Sequence, residues 1–456
     1  MKKLAILNGN IVSDGEIKTT DILVEDGLIT ALGKLNSYEL RDTKIIDATG
    51  MWVMPGMIDS HVHIAHPNRL GNAADDFYTA TVAAAHGGVT TFIDFAIQWD
   101  KSISLEETWR RKVQTIKENT VIDFALHNCP TVSSQETIGH MPVLRDLGSP
   151  SFKFYMTYSK QNRMTDDGVL YEALCRTANT DMRVGVHAEN DALINFLEQK
   201  LRSEGKLNAK YFAESKPSFV ENEALRRVVY LNEVAGGNLF LFHVTTGEGA
   251  RVIAEASAKG QNIIGETCTH YLLLNESYLQ GEEGYKYICS PPLRNEKDSE
   301  YLWESIREGN LKIISSDHCG FNKELKKTSK DDFTGVPNGL PGIDQRLYMI
   351  YSHGVRAGKI TIEQMVDVLS TNPAKIFGMY PKKGSLSVGS DADLVIYDPN
   401  PLWTLENRLL FNSVDWSPYE GMEVRGKVYL TLSRGEILVD QGKFYGHRGR
   451  GELIKR

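Results

Sequence analysis

Five apolar stretches recur along the first half of the chain at an almost constant interval. They begin near Ile58, Val89, Val121, Phe152 and Arg183, at spacings of 31, 32, 31 and 31 residues. Longer segments of helical character separate them. Short apolar strands alternating with helices are the signature of βαβ units and a parallel sheet. Three further stretches, near Leu239, Ile263 and Ile313, bring the number to eight, with longer excursions after the fifth and seventh. This fits an α/β fold built on a (β/α)8 barrel of the TIM type. An open doubly wound sheet is the rival, but no Gly-rich phosphate loop follows the first strand. The barrel is favoured.

Such a barrel takes roughly 250 residues, and the chain has 456. The remainder lies at the two ends. Near the start, Asn8-Gly9, Asp14-Gly15 and Asp26-Gly27 are dipeptides that accept the positive φ of tight hairpins, with β-type stretches such as Ile22-Leu23-Val24 between them. Similar stretches return late, at Gly389–Tyr397, Val428–Leu432 and Glu436–Val439. We expect a small β-sandwich domain from residues 1–55 and 376–440, a barrel over 56–375, and a tail over 441–456. The tail is basic (Lys443, His447, Arg448, Arg450, Lys455, Arg456). It reads equally as an inter-subunit arm or as a disordered segment.

Composition narrows the function class. Lys and Arg total 51 against 59 Asp and Glu, a formal charge of −8, with no long basic block; a nucleic-acid surface is not expected. The N-terminus has too few apolar residues before Asn8-Gly9 for a secretory core, and no run approaches the ~18–20 apolar residues of a membrane helix. Cys129, Cys175, Cys268, Cys289 and Cys319 are scattered without paired spacing. They read as buried thiols in a reducing compartment. A cytoplasmic protein without membrane contact is the expectation.

The chemistry concentrates at the ends of the inferred strands. In Asp59-Ser60-His61-Val62-His63, alternation puts Asp59, His61 and His63 on one face. Two imidazoles at a strand's C-terminal end, where barrel active sites form, suit a divalent metal. Lys153 stands in Ser151-Phe152-Lys153-Phe154-Tyr155-Met156 with little polar company. Either its stem packs while its head snorkels to solvent, or it is a neutral amine that has reacted with carbon dioxide to give an anionic, metal-bridging carbamate. His187, His243 and Asp317 also end strands; each alone reads as a hydrogen-bonded core or turn residue. Together the six fall at one end of the barrel, from strands one, four, five, six and eight. A two-metal site is the leading hypothesis.

With these residues in place, the chain resembles the dihydropyrimidinase/hydantoinase family of cyclic amidohydrolases, within the metal-dependent amidohydrolase superfamily. The resemblance runs through His61-Val62-His63, Ser151-Phe152-Lys153, His187-Ala188-Glu189, His243, Glu266–Leu272, Cys289–Arg294, Ser316–Cys319, Pro337-Asn338-Gly339 and Gly389–Asp398. It implies that His61, His63 and Asp317 hold one zinc, that His187 and His243 hold the other, and that carboxylated Lys153 bridges them. It also implies that Asp317 exchanges the catalytic proton, that Tyr158 supports the substrate carbonyl, and that the main chain at Ser290 and Asn338 hydrogen-bonds the ring's amide edge. Without the resemblance Tyr158 reads as a packed aromatic, and Ser290 and Asn338 as turn residues. His270 and His318 read as supporting neighbours; His66, His86, His127 and His140 read as structural.

The implied activity is hydrolytic opening of dihydropyrimidines or 5-substituted hydantoins to N-carbamoyl amino acids by a homotetramer or homodimer. Allantoinase is an alternative. Dihydroorotate is disfavoured because Ala65 stands where a dihydroorotase has arginine. A non-catalytic scaffold is disfavoured because such relatives lack the ligands that are present here.

Overall fold

The computed structural model describes residues 3–456; Met1 and Lys2, the first residues of the expected small domain, lie outside the described residues. Eight parallel strands form the barrel: Met57–Val62, Val89–Ile97, Asp123–Cys129, Ser151–Tyr155, Arg183–His187, Asn238–Leu241, Asn262–Cys268 and Leu311–Ser315. They are hydrogen-bonded in sequence order. A parallel bridge between Val62 and His318 brings the first strand against the eighth, with the His63 amide donating to the His318 carbonyl at 2.8 Å. Strands buried on both faces read as continuous apolar runs, and every residue of Val89–Ile97 is buried.

Helices cover the outside, and their starts are marked by capping side chains. Asp76, Ser104, Asp166, Thr246 and Asn295 each accept a backbone N–H at the head of their helix, each cap contributing about 1 kcal/mol. One glycine is required inside the barrel. A Cβ on Gly185, in the fifth strand, would lie 2.2 Å from the Phe242 ring, so only glycine lets that ring pack there.

The chain ends build a second sheet of nine strands. Lys3–Ser13 pairs antiparallel with Glu16–Glu25, and Trp52–Pro55 pairs antiparallel with Leu394–Thr404, joining the two ends of the chain. Both layers of this small domain belong to one continuously hydrogen-bonded sheet. The sheet curls until the Asp26-Gly27 turn meets the Arg434-Gly435 turn, enclosing Leu4, Ile6, Ile22, Val24, Leu394 and Leu432.

Two expectations require correction here. Asp14-Gly15 and Asp26-Gly27 are hairpin turns with positive φ at both residues, but Asn8-Gly9 is not. It is a bulge within Lys3–Ser13, where the register shifts. A Cβ on Gly9 would lie 2.5 Å from Val53, so the glycine serves the close approach of the neighbouring strand. The basic tail is not disordered: it is ordered against its own chain. Gln441-Gly442 makes one more turn, adding the strand Lys443–Phe444 to the sheet. Beyond it, the Phe124 amide donates to Glu452 and the Ile454 amide to Phe124, so the segment pairs with the start of the third barrel strand. Arg450 and Arg456 then donate to the backbone carbonyls of Ser433 and Leu126. No described helix is long and apolar enough to cross a membrane.

Candidate metal centre

His61, His63 and Asp317 meet at the C-terminal mouth of the barrel, with one donor atom from each lying within 4.8 Å of the others. His61 Nε2 lies 3.1 Å from Asp317 Oδ1 and 3.3 Å from His63 Nε2. The 92 positions from His61 to Lys153 do not separate them in space: Lys153 Nζ is 3.0 Å from His61 Nε2. Lys153 is only 2% exposed and does not snorkel. Its Nζ sits between the faces of Phe95 and Phe242, 4.4 and 4.6 Å from their centroids. His187 and His243 complete the ring of groups, their centroids 4.5 Å apart, with His243 5.4 Å from His61.

Buried acids aim the imidazoles. Glu266 Oε1 lies 2.7 Å from His61 Nδ1, which turns Nε2 toward the centre. Glu189 Oε2 lies 2.6 Å from His187 Nε2, leaving Nδ1 as the inward nitrogen. Lys216 in turn holds Glu189 at 3.1 Å and donates to Ser290 Oγ at 2.6 Å. Fixing the outward nitrogen by a carboxylate sets both tautomer and ring orientation of a metal-binding histidine.

A cavity of about 110 Å³ opens over these groups, and Tyr158, Ser290 and Asn338 line it together with His63, His187 and Asp317. Tyr158 has φ +71°, an uncommon conformation for a bulky residue, and its ring lies 5.1 Å from His187. Its neighbour Ser159 is tied to Asp191 through the amide at 3.0 Å. Asp59 shares a strand face with His61 but accepts from the Ser316 amide, outside this ring. His270 lines the cavity and so does His66, which sequence reasoning left among the structural histidines. His318 faces Asp75 at 3.3 Å. His127 is held by Ser151 and the Ser60 carbonyl, and His86 stacks on Phe411.

The Amidohydrolase family model matches residues 52–438. The chain belongs to the amidohydrolase family. It is 40% identical over 463 residues to the D-hydantoinase of Geobacillus stearothermophilus, covering 100% of this chain and 97% of that protein. It is 37% identical over 457 residues to the D-phenylhydantoinase of Escherichia coli (strain K12 / DH10B), covering 100% and 98%. Among solved structures, the dihydropyrimidinase from Brevibacillus agri NCHU1002 matches with a TM-score of 0.96 at 37% identity, covering 100% of this chain and 98% of that one.

The electrostatics of this amidohydrolase site suit a cation. Burial pushes His61, His63 and His243 well below the usual imidazole range, so their nitrogens stay neutral and keep lone pairs. Burial also lowers Lys153, against the pull of Asp317. Asp317 is raised by burial to about 7, opposed by Lys153, and Glu266 is raised by burial and then by Asp317 to about 8. His61 Nε2 and His63 Nε2 lie 3.3 Å apart beside Asp317, and neutral imidazole nitrogens gathered with a carboxylate oxygen are N/O donors that suit a divalent ion such as zinc. Asp317 also sits near Cys268 and His270 as a second group of donors, but burial raises the Cys268 thiol well above its usual range and disfavours the thiolate ligand.

Proposed function

We propose that this amidohydrolase opens the ring of cyclic amides, namely 5-substituted hydantoins and dihydropyrimidines, to N-carbamoyl amino acids. The observation that carries the reading is the convergence of His61, His63, Lys153 and Asp317 around one point under a cavity of about 110 Å³. Full-length similarity to proteins named D-hydantoinase supports the substrate class and makes D-configured hydantoins the first to test.

In this reading His61, His63 and Asp317 would hold one zinc, His187 and His243 would hold a second, and Lys153, as a carbamate, would contribute anionic oxygen ligands. The carbamate forms when the neutral amine adds carbon dioxide and releases one proton; the lowered basicity of buried Lys153 favours that amine. When bound, such cations supply Lewis acidity to the ring carbonyl and make water a nucleophile at neutral pH. Asp317 takes the proton of the attacking water and returns it to the departing ring nitrogen, a general base and then acid. The Tyr158 hydroxyl donates to the oxygen on which negative charge develops. Main-chain groups at Ser290 and Asn338 hold the –CO–NH–CO– edge. Assembly as a homotetramer or homodimer belongs to the same reading; Phe219, Tyr230 and Val234, exposed on the helix Ser218–Ala235, support it.

The test is a hydrolysis panel on zinc-loaded protein: dihydrouracil, hydantoin, 5-phenylhydantoin, allantoin and dihydroorotate, followed by loss of ultraviolet absorbance. Turnover of hydantoins or dihydrouracil well above the other two supports the reading. Turnover of allantoin alone, or of nothing, rejects it.

A further inference from the structure

The short helix Lys323–Lys327 follows the eighth barrel strand and, as Lys-Glu-Leu-Lys-Lys, reads like a solvated surface turn. Glu324 and Lys327 behave that way, both exposed and paired at 3.8 Å. Lys326 does not: its side chain is fully buried. Its Nζ donates to the Ile288 carbonyl at 3.0 Å and to the Gly339 carbonyl at 2.7 Å, with the Trp416 ring 5.6 Å away. No carboxylate among the described residues forms an ion pair with it.

Burying an amine without a counter-ion is unfavourable, and an apolar chain of similar length would fill the space without that penalty. What the amine adds is a connection between two loops. Ile288 stands two residues before Ser290, and Gly339 directly follows Asn338. The loops touch at the same place, where the Gly339 amide donates to the Ile288 carbonyl at 3.1 Å. Gly339 has φ +137°, and a Cβ there would lie 2.4 Å from the Cys319 carbonyl oxygen, so the loop passes through a tight gap. Ser290 is held independently by Lys216 through its hydroxyl at 2.6 Å.

We propose that Lys326 is a positioning residue for substrate binding: its amine locks the Ser290 loop to the Asn338 loop and fixes the spacing of the two main-chain segments that grip the ring's amide edge. The inference rests on the proposed function, because that spacing matters only if a cyclic amide lies between the loops. Lys326 touches none of the metal-centre donors, so its loss spares metal binding and falls on KM.

The experiment compares Lys326→Met with the wild type on the best substrate of the panel, measuring kcat, KM and metal content. The expected result is a KM raised about tenfold or more, as for loss of two buried hydrogen bonds, with kcat within about threefold and metal content unchanged. Lys327→Met, the exposed neighbour, leaves all three at wild-type values. Lys326→Arg, which keeps the donors, recovers part of the lost KM, a rescue that packing alone does not give. If Lys326→Met does not fold, Lys326→Gln provides the same comparison. A folded, metal-loaded variant with wild-type KM overturns the proposal, as does a loss confined to kcat. A wild-type protein that opens no cyclic amide overturns the proposed function itself, and the two failures are thereby distinct.

Discussion

The barrel gathers buried potential metal ligands at both of its ends, and the two groups are built differently. At the floor, Asp123, Asp391 and Asp393 bring carboxylate oxygens as close together as His61, His63 and Asp317 bring their donors at the mouth. Between the floor carboxylates stands Lys383, its Nζ 2.6 Å from Asp123, 2.6 Å from Asp393 and 2.9 Å from Asp391. Arg434 adds a second cation, 3.3 Å from Asp123. At the mouth the amine among the donors, Lys153, is driven toward its neutral form by burial, and the Nε2 atoms of His61 and His63 lie 3.3 Å apart. Proximity of donors is common to both. The charge already standing among them separates a structural ion cluster, which ties the terminal sheet to the barrel, from a site prepared for a cation.

Three substitutions test this contrast, taken from the largest expected effect downward. Lys153→Ala is expected to abolish hydrolysis and release metal, with partial recovery on adding short carboxylates; a variant that keeps its metals and full rate without them would defeat the assignment. Lys383→Met removes the cation shared by three buried carboxylates, leaving Asp393 without one while Arg434 stays on Asp123 and Lys382 on Asp391, so unfolding by denaturant should show about 3–5 kcal/mol less stability, with metal content unchanged. Glu266→Gln weakens the fixing of His61 and is expected to reduce metal affinity about 10–100-fold, as read by competition with a chelator; unchanged affinity would remove Glu266 from the site's supports.

The floor cluster also has a pH signature. Burial opposes the charge on Lys383, but Asp393, Asp123 and Asp391 together carry it above the ordinary lysine value of 10.5. A raised folded-state pKa gives stability that is complete below the unfolded value and is lost as pH rises through the folded one. Wild type should therefore lose stability above pH 10.5 more steeply than Lys383→Met, measured by denaturant midpoints across that range.

The sequence made the barrel legible because each unit repeats one physical requirement, a strand buried on both faces followed by a helix that returns the chain. Lys153 was legible for the opposite reason, as a charge inside an apolar strand. Glu266 carries the same signal in Ile263-Ile264-Gly265-Glu266, and the structure gives it a partner in His61. Lys326 was not legible, since its charged neighbours match any solvated turn and its partners are backbone carbonyls 38 and 13 residues away. Asn8-Gly9 misled because a bulge and a hairpin turn ask for the same dipeptide. The tail misled because Arg450 pairs with Glu436 at 2.9 Å within its own chain, and Arg450 and Arg456 also donate to the backbone carbonyls of Ser433 and Leu126, partners that no residue type announces.

The most direct test is anomalous diffraction at the zinc edge from crystals of the zinc-loaded protein. Two peaks at the barrel mouth, among His61, His63, Lys153, His187, His243 and Asp317, with density for a carboxyl group on Lys153, are the predicted result. No peak at the mouth, or one at Asp123, Asp391 and Asp393, would contradict the account.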